Sequence, residues 1–246
     1  MKILLVNPNT TQAVTDRIAG VARAVARPGT TIDAVTAAFG ATVITTRAED
    51  ALAGHAALET VARHFSDHDA VIVGASWDTA LAGLRELLDV PVVGFTESAM
   101  TIATLVGERF GLITVGDRAG LAHARMADAS GFDTRFVGCE EITIDYADIL
   151  NNPDAAIRQV IEAANRLVHQ HGAEAVIPTG AVFAGLHTRI QSEVPVPVLD
   201  ATTCAVQLAE LLARMNLPKA THGSRAKPPP RLTKGLSETL TRFFAR

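Results

Sequence analysis

The sequence predicts an α/β protein in which two pseudo-symmetric lobes each contain a parallel β-sheet flanked by helices. Short, β-rich apolar runs alternate with longer segments whose apolar residues recur every three or four positions. Several of these runs also come in pairs that are separated by nearly the same number of residues. Strands that are apolar throughout fit a sheet that helices cover on both faces.

The strand predictions rest on short apolar runs in which β-branched residues are frequent. Small or polar residues follow most of the runs, and a helical pattern comes next. In chain order, the predicted strands are Lys2–Val6, Thr31–Val35, Ala70–Val73, Val90–Gly94, Phe110–Val115, Thr134–Val137, Ala175–Ile177 and Val196–Leu199.

The helix predictions rest on segments rich in alanine and leucine that lie between these runs. Their apolar residues fall on one side of a helix, which gives each helix one face to bury. The predicted helices include Thr10–Ala26, Asp50–Phe65, Thr79–Leu88 and Pro153–His169.

An internal repeat indicates that the fold is duplicated. The run DAVIVGAS, which begins at Asp69, resembles EAVIPTGA, which begins at Glu174, at an offset of 105 residues. The tripeptide VPV occurs at 90–92 and again at 196–198. We therefore predict a first lobe over 1–105, a second lobe over 106–212 and a basic, proline-containing extension over 213–246. Part of the C-terminal segment is expected to pack back on the first lobe; the alternative is a basic lip over an anionic substrate.

Composition limits the classes of partner and compartment. The chain has 246 residues, of which 48% are hydrophobic, and its net charge of −4 gives no electrostatic case for nucleic acid. No apolar run approaches the roughly 18 residues of a membrane span. The two cysteines suit a reducing compartment, and the N-terminal run is too short and too polar for a signal peptide. We expect a cytoplasmic homo-oligomer that binds a small molecule.

Motifs for cofactors and metals are missing from the sequence. No G-x-G-x-x-G follows the first strand, and no G-x-x-x-x-G-K-S/T occurs. Two of the eight histidines form His169-Gln-His171, but no pair spaced i, i+4 stands with a carboxylate in a helix. We therefore expect neither an organic cofactor nor a metal.

Candidate ligand contacts lie at the carboxyl ends of the predicted strands, where open parallel sheets bind ligands. Small and hydroxyl-bearing residues there can bind an anion or an imide together with helix N-terminal N–H groups. The same residue types are preferred N-caps, so helix capping is the alternative for each motif. The predicted substrate-binding residues are Asn7, Pro8, Asn9, Thr10, Gly74, Ala75, Thr96, Gly180 and Ala181.

Five segments carry a resemblance to a known family. They are MKILLVNPNTT at 1–11, DAVIVGASWDTAL at 69–81, RFGLITV at 109–115, GAEAVI at 172–177 and VPVLD at 196–200. Together they resemble the Asp/Glu/hydantoin racemase superfamily, and most closely its hydantoin and allantoin racemases. The resemblance implies two α/β lobes, no cofactor, and a substrate carbon held between two opposed acid/base groups.

In these racemases the two acid/base groups are cysteines, one in each lobe. A gapless match places Ala75 and Gly180 at the two positions, and a shift of one residue places Gly74 and Thr179 there. The two cysteines of this chain, Cys139 and Cys204, match neither position. Arylmalonate decarboxylases of the same superfamily retain one cysteine and have G-T-S where this chain has 74–76, so a lobe without its thiol can still serve as a hydrogen-bonding pocket.

Other groups must then supply the chemistry. Asp78 and Glu97 lie near strand ends of the first lobe, and Asp117 and Asp200 lie at comparable places in the second. A carboxylate in a closed cleft can act as a general base because burial raises its pKa. Ser76 is a second kind of candidate, a nucleophile, but no histidine falls in either motif to complete a triad. The predicted catalytic residues are Ser76, Asp78, Glu97 and Thr179.

The sequence therefore predicts a cofactor-independent isomerase that acts at the α-carbon of a small carboxylate or of a hydantoin or imide, without catalytic cysteines. Two alternatives stay open. One is a lyase, decarboxylase or hydrolase for a related small acid or cyclic imide. The other is a protein that binds such a ligand without turning it over.

Overall fold

The computed structural model describes residues 1–116, 118–144, 148–149 and 153–245. Its strands form two parallel sheets, as predicted from the alternation of strand and helix patterns. The first sheet contains β1 (Lys2–Asn7), β2 (Thr31–Thr36), β3 (Ala70–Val73) and β4 (Val92–Gly94) in the order β2–β1–β3–β4. The second contains β5 (Phe110–Val115), β6 (Phe136–Ile142) and β7 (Ala175–Pro178) in the order β6–β5–β7.

Helices connect and cover the strands. The described helices are α1 (Gln12–Val25), α2 (Arg47–His64), α3 (Leu81–Leu87), α4 (Phe95–Val106), α5 (Ala119–Ala129), α6 (Pro153–His171), α7 (His187–Ile190), α8 (Ala201–Met215) and α9 (Glu238–Phe244). Two single 3₁₀ turns lie at Ala181–Phe183 and Gln191–Glu193. None of these helices is both long and apolar enough to cross a membrane.

The central strands are buried on both faces, which explains their uninterrupted apolar sequences. Every residue of β3 and of β5 is buried. α2 begins with a capping box in which the Thr46 hydroxyl accepts from the Glu49 N–H and the Glu49 carboxylate accepts from the Thr46 N–H.

The eighth predicted strand, Val196–Leu199, is reduced to a single bridge between Val176 and Val198. Pro195 precedes this run and Pro197 lies within it, and a proline has no N–H to donate to a ladder. The Pro197 carbonyl still accepts from Val176, and the Leu199 N–H donates to the Val176 carbonyl. The chain therefore follows the sheet edge without forming a strand.

Two helices pack away from the sheet whose strands precede them. α4 follows β4 directly, yet it contacts β5, β7 and α5 of the second sheet region. α8 falls mainly within the range predicted for the second lobe, yet it packs against α1, β3 and β4. α4 and α8 also pack against each other, and one hydrophobic core includes residues from both sheets.

The extension after α8 ends on the first sheet's side of the molecule. α9 packs against α2, where Leu240 and Phe243 are buried. Lys219 donates to the carbonyl oxygens of Arg85 and Leu88, which ties the start of the extension to the end of α3. Of the two alternatives for this segment, the contacts favour packing on the first lobe.

Candidate functional site

A cavity of about 70 Å³ lies where the strand ends of the two sheets meet. Such a volume has room for about five water molecules and suits a ligand of few heavy atoms. Residues that follow β1 and β3 line it on one side, and residues that follow β7 line it on the other. The lining residues are Asn9, Thr11, Val14, Thr42, Val43, Ile44, Gly74, Ala75, Ser76, Thr179, Gly180, Ala181 and Val182.

The N-P-N-T motif after β1 divides into a structural part and one cavity residue. Asn7 is fully buried, and its amide group donates to Asn9 Oδ1 at 2.9 Å and to Thr15 Oγ1 at 3.0 Å. Asn9 N–H donates to Asn7 Oδ1, and Thr10 N–H donates to the Ala41 carbonyl. Asn7 therefore shapes the turn, and Asn9 lines the cavity. Asn7, Pro8 and Thr10 are not among the lining residues.

Four side chains form one hydrogen-bonded cluster beside this cavity: Ser76 and Thr179 line it, whereas His123 and the predicted substrate-binding residue Thr96 are buried behind them. Ser76 Oγ lies 2.9 Å from His123 Nε2 and 3.2 Å from Thr179 Oγ1. Thr96 Oγ1 lies 2.8 Å from Thr179 Oγ1 and donates to the Ser76 carbonyl oxygen at 2.7 Å. Each sheet region thus contributes a hydroxyl group, and α5 contributes an imidazole.

The hydrogen count of the cluster depends on the tautomer of His123. Thr96 uses its one hydroxyl hydrogen on the Ser76 carbonyl, so Thr179 must donate in the Thr96–Thr179 contact. If Nδ1 carries the imidazole proton, Ser76 is free to donate to Nε2, and the 3.2 Å contact with Thr179 holds no hydrogen. If Nε2 carries it, the imidazole donates to Ser76. The first tautomer makes Ser76 a hydroxyl with a base beside it.

His123 is uncharged at neutral pH because it is completely buried. Burial lowers its pKa to about 4, against a smaller opposing effect of the Ser76 and Ala119 backbone. Its Nδ1 atom has no side-chain partner among the described residues. The neutral ring can accept a hydrogen bond from Ser76, but the same burial opposes its protonation, and no carboxylate among the described residues orients it.

Sequence reasoning missed His123. The residue lies within the alanine-rich helix α5, 47 positions after Ser76, and belongs to no strand-end motif. A histidine in an apolar helix face is a weak signal. The packing of α5 against α4 and β5 is what brings it to Ser76.

Asp78 does not line the cavity but caps α4. Its carboxylate accepts from the Thr96 N–H at 3.0 Å and from the Glu97 N–H at 2.7 Å. Gly94 leaves the room for this contact, since a Cβ there would lie 2.3 Å from Asp78 Cγ. Burial raises the pKa of Asp78 to about 7, although the two N–H groups oppose the shift.

Asp200 plays a corresponding part at the start of α8. Its carboxylate accepts from the Thr203 N–H at 2.7 Å and from the Gly185 N–H at 2.8 Å. Burial by itself would raise the pKa of Asp200, but His187 and these backbone donors outweigh it and lower the pKa. Both buried aspartates thus hold the N-terminus of a helix that leaves its own sheet.

Glu97, expected to be a base, lies outside the cavity. Its carboxylate pairs with Arg85, with Oε2 2.8 Å from Nη2, and both side chains line a separate cleft of about 470 Å³. The residue follows the strand end in sequence, but the first turn of α4 directs the side chain to α3. The structure therefore does not bring Glu97 to Ser76 or Thr179.

The positions that the resemblance gives to cysteines both lie at the cavity. Ala75 and Gly180 line it, and Gly180 has a φ of +122°, in the range that favours glycine. Cys139 and Cys204 lie elsewhere, and burial raises the pKa of each thiol to about 12. Neither thiol is placed or ionised for chemistry in this cavity.

No group of three or more metal-binding side chains occurs in the ranges that the structure describes. Asp117, a carboxylate candidate of the second lobe, lies outside those ranges. The chemical groups that the cavity offers are hydroxyls, one carboxamide and backbone amides, and one neutral imidazole lies behind Ser76.

Comparison with known proteins gives one consistent result. The family model described as Asp/Glu/Hydantoin racemase matches residues 3–209. A hydantoin racemase from Pseudomonas sp. (strain NS671) is 30% identical over 213 residues, which cover 86% of each chain. A hydantoin racemase from Paenarthrobacter aurescens is 28% identical over 93% of this chain and 98% of its own. The crystal structure of allantoin racemase from Pseudomonas fluorescens superposes with a TM-score of 0.92 at 33% identity, covering 96% of this chain and 100% of that one.

Proposed function

Because the chain belongs to the Asp/Glu/hydantoin racemase family, we propose that it is a cofactor-independent isomerase acting on a small hydantoin, imide or carboxylate. The reaction removes a proton from the α-carbon and returns one to it. The hydantoin and allantoin racemases match at least 86% of this chain at 28–33% identity, and this similarity supports the substrate class.

The observation that carries the proposal is the contact of Ser76 with Thr179 across the cavity, at 3.2 Å. The two hydroxyls follow β3 and β7, the strands whose ends carry the acid/base groups in the family that the sequence resembles. A two-sided site is therefore retained with different chemical groups.

His123 supplies what a hydroxyl alone lacks. A serine hydroxyl is too weak a base for an α-proton, but Ser76 can pass a proton to the neutral imidazole 2.9 Å away. A carbonyl next to the α-carbon acidifies that proton, and Asn9 with the cavity's backbone N–H groups can bind the carbonyl oxygen. Thr179, hydrogen-bonded to Thr96, gives its hydroxyl proton to the carbon from the second sheet and regains a proton from solvent water, while His123 releases the proton that it took.

A substrate carbon cannot fit between two oxygens that are 3.2 Å apart. The ligand must therefore separate Ser76 Oγ from Thr179 Oγ1 when it binds. We propose that substrate exchanges this weak contact for its own hydrogen bonds, which leaves Ser76 on one face of the carbon and Thr179 on the other.

A solvent-deuterium exchange screen tests the proposal. Hydantoins, allantoin, aspartate, glutamate and aryl malonates are incubated with the protein in deuterium oxide, and loss of the α-proton signal is followed by proton NMR. We expect exchange in at least one substrate class, and its loss in Ser76→Ala. Ser98→Ala is the matched control, because Ser98 is a buried serine that donates to the Gly94 carbonyl away from the cavity.

The other outcomes of the screen identify the alternatives. Loss of carbon dioxide without exchange indicates a decarboxylase, and ring opening indicates a hydrolase. Saturable binding with no chemical change to any compound indicates a binding protein and overturns the isomerase proposal.

A further inference from the structure

We propose that Ser76 is also a nucleophile, which gives the same cavity an acyl-transfer activity towards activated esters and strained cyclic imides. The inference rests on the Ser76–His123 pair and not on proton transfer at carbon. It goes beyond the isomerase reaction because a carbonyl carbon, rather than an α-proton, is the point of attack.

Ser76 and His123 have the geometry of a nucleophile and its base. A nucleophile and its base must lie within hydrogen-bonding distance, and Ser76 Oγ is 2.9 Å from His123 Nε2. His123 is completely buried, so water does not compete for Nε2, whereas Ser76 is partly exposed and lines the cavity. The oxygen is thus accessible to a ligand, and its base is shielded.

The backbone of Ser76 is fixed by hydrogen bonds from its buried neighbours. Thr96 donates to the Ser76 carbonyl oxygen at 2.7 Å, and Asp78 in turn fixes the backbone N–H of Thr96. The backbone of the nucleophile is therefore anchored by two buried residues. A fixed backbone limits the hydroxyl to rotation about one bond, between the directions of His123 and Thr179.

Backbone N–H groups beside the Ser76 hydroxyl are available to a ligand. Within the described ranges, the N–H groups of Ser76, Gly180 and Ala181 donate to no protein acceptor, and all three residues line the cavity. Free N–H groups beside a nucleophile can stabilise the oxyanion that forms when a carbonyl carbon is attacked.

The step balances with water as the co-reactant. Ser76 Oγ forms a bond to the carbonyl carbon, and its proton goes to His123 Nε2. The bond from that carbon to the ester oxygen or imide nitrogen breaks, and the leaving group takes the proton from His123. Once Ser76 Oγ carries the acyl group it no longer donates to Nε2, so a water in the cavity can give its proton there and attack the acyl carbon. The acid is released, and the proton returns from His123 to Ser76.

A fluorophosphonate probe tests the nucleophile directly. Attack forms a bond from Ser76 Oγ to phosphorus and expels fluoride, while His123 takes the hydroxyl proton. Intact mass spectrometry of the full chain should show one adduct, and peptide mapping should locate it at Ser76. An adduct on another serine, or none after a day in millimolar probe, would overturn the proposal.

Variants separate the nucleophile from its base. Ser76→Ala should abolish the adduct, and Ser130→Ala, at an exposed serine at the end of α5, should label as the wild type does. His123→Gln retains a hydrogen-bonding group but cannot accept the proton, and it should slow labelling at least tenfold while the thermal unfolding curve stays cooperative. An unchanged labelling rate in His123→Gln would contradict the assignment of the base.

The tautomer of His123 gives a measurement that needs no variant. The proposal requires the proton on Nδ1, so that Ser76 can donate to Nε2. Long-range ¹H–¹⁵N NMR of the histidine rings distinguishes the two tautomers, and a proton on Nε2 would refute the nucleophile. An adduct without deuterium exchange would refute the isomerase alone, and exchange without an adduct would refute the nucleophile alone.

Discussion

Ser76 Oγ and Thr179 Oγ1 lie 3.2 Å apart, although 103 residues separate them and they follow strands of different sheets. Their separation along the chain is close to the offset of 105 residues at which the sequence repeats. The ends of β3 and β7 therefore meet at one cavity. Each lobe contributes one hydroxyl to a site that neither lobe forms by itself.

Removal of the Thr179 hydroxyl should weaken the site more than the fold. Thr179→Val keeps the side-chain shape, and the loss of the hydrogen bond to Thr96 should lower the free energy of unfolding by about 0.5–1.5 kcal/mol. Urea denaturation measures this change. Thr60→Val is the control, because Thr60 is a buried threonine that donates to the Ala56 carbonyl in α2. Both variants should lose similar stability, and Thr179→Val alone should lose ligand affinity or turnover.

Gly94→Ala should destabilise the protein through Asp78. The added Cβ would lie 2.3 Å from Asp78 Cγ and would push the carboxylate off the start of α4. Overpacking of this kind costs about 1–3 kcal/mol, and the lost cap adds to it. Gly83→Ala in α3 is the control, since nothing lies within 4 Å of its Cβ. A Gly94→Ala protein as stable as Gly83→Ala would show that Asp78 does not depend on this space.

The two buried aspartates should respond to pH in opposite directions. The pKa of Asp78 is raised to about 7, by burial and by Glu97 against the opposing charge of Arg85. The folded state therefore holds a proton that the unfolded chain releases near pH 4, so the Asp78 contribution to stability falls as pH rises towards 7. Urea denaturation should show a smaller cost of Asp78→Asn at pH 8 than at pH 5.

Asp200 gives the contrasting case. His187 and the backbone donors lower its pKa against the effect of burial, so its contribution is present above pH 4 and is lost as pH falls through the lowered value. Asp200→Asn should therefore cost more stability at pH 6 than at pH 3. If both variants changed in the same direction with pH, the assigned environments would be wrong.

Glu97→Gln should leave turnover intact. Glu97 was a base candidate from its position after β4, but its carboxylate pairs with Arg85 outside the cavity. We expect kcat and KM to change by less than about twofold, and stability by about 0–1 kcal/mol because the ion pair is partly exposed. Steady-state kinetics on any substrate found in the screen measures this. A loss of kcat above tenfold would return Glu97 to the catalytic candidates.

Thiol reagents should not inactivate the protein. Burial raises the pKa of Cys139 and of Cys204 to about 12, and a thiol that stays protonated alkylates slowly. Iodoacetamide at pH 8 should leave both cysteines unmodified in the folded chain and should alkylate both in urea. Rapid inactivation with a labelled cysteine would show that the site lies elsewhere.

Much of the fold follows from local sequence signals. Ala70–Val73 and Phe110–Val115 were predicted with the bounds that the structure has, because short apolar runs rich in β-branched residues between helical patterns indicate buried strands. Val196–Leu199 failed as a strand because alternating prolines remove the ladder donors. Its apolar composition alone did not reveal this.

The site was predictable where it depends on strand ends and not where it depends on helix packing. Parallel strands end at the same edge of a sheet, so residues that follow them come together. The predicted residues that share the cavity are Asn9, Gly74, Ala75, Ser76, Thr179, Gly180 and Ala181. His123 reaches that cavity through the packing of α5, and Glu97 leaves it through the first turn of α4. Neither orientation is encoded in a short motif, so both needed the three-dimensional structure.

The exchange of α4 and α8 between the sheets restricts how the molecule can open. The chain passes from one sheet region to the other at Gly94–Phe95 and again at Asp200–Ala201. Two chain segments therefore connect the sheets. We expect two connections to restrain movement of one sheet region relative to the other more than a single connection would. Asp78 and Asp200 cap α4 and α8 at these two connections. A movement that separates the two sheets at the cavity would draw Ser76 and Thr179 apart.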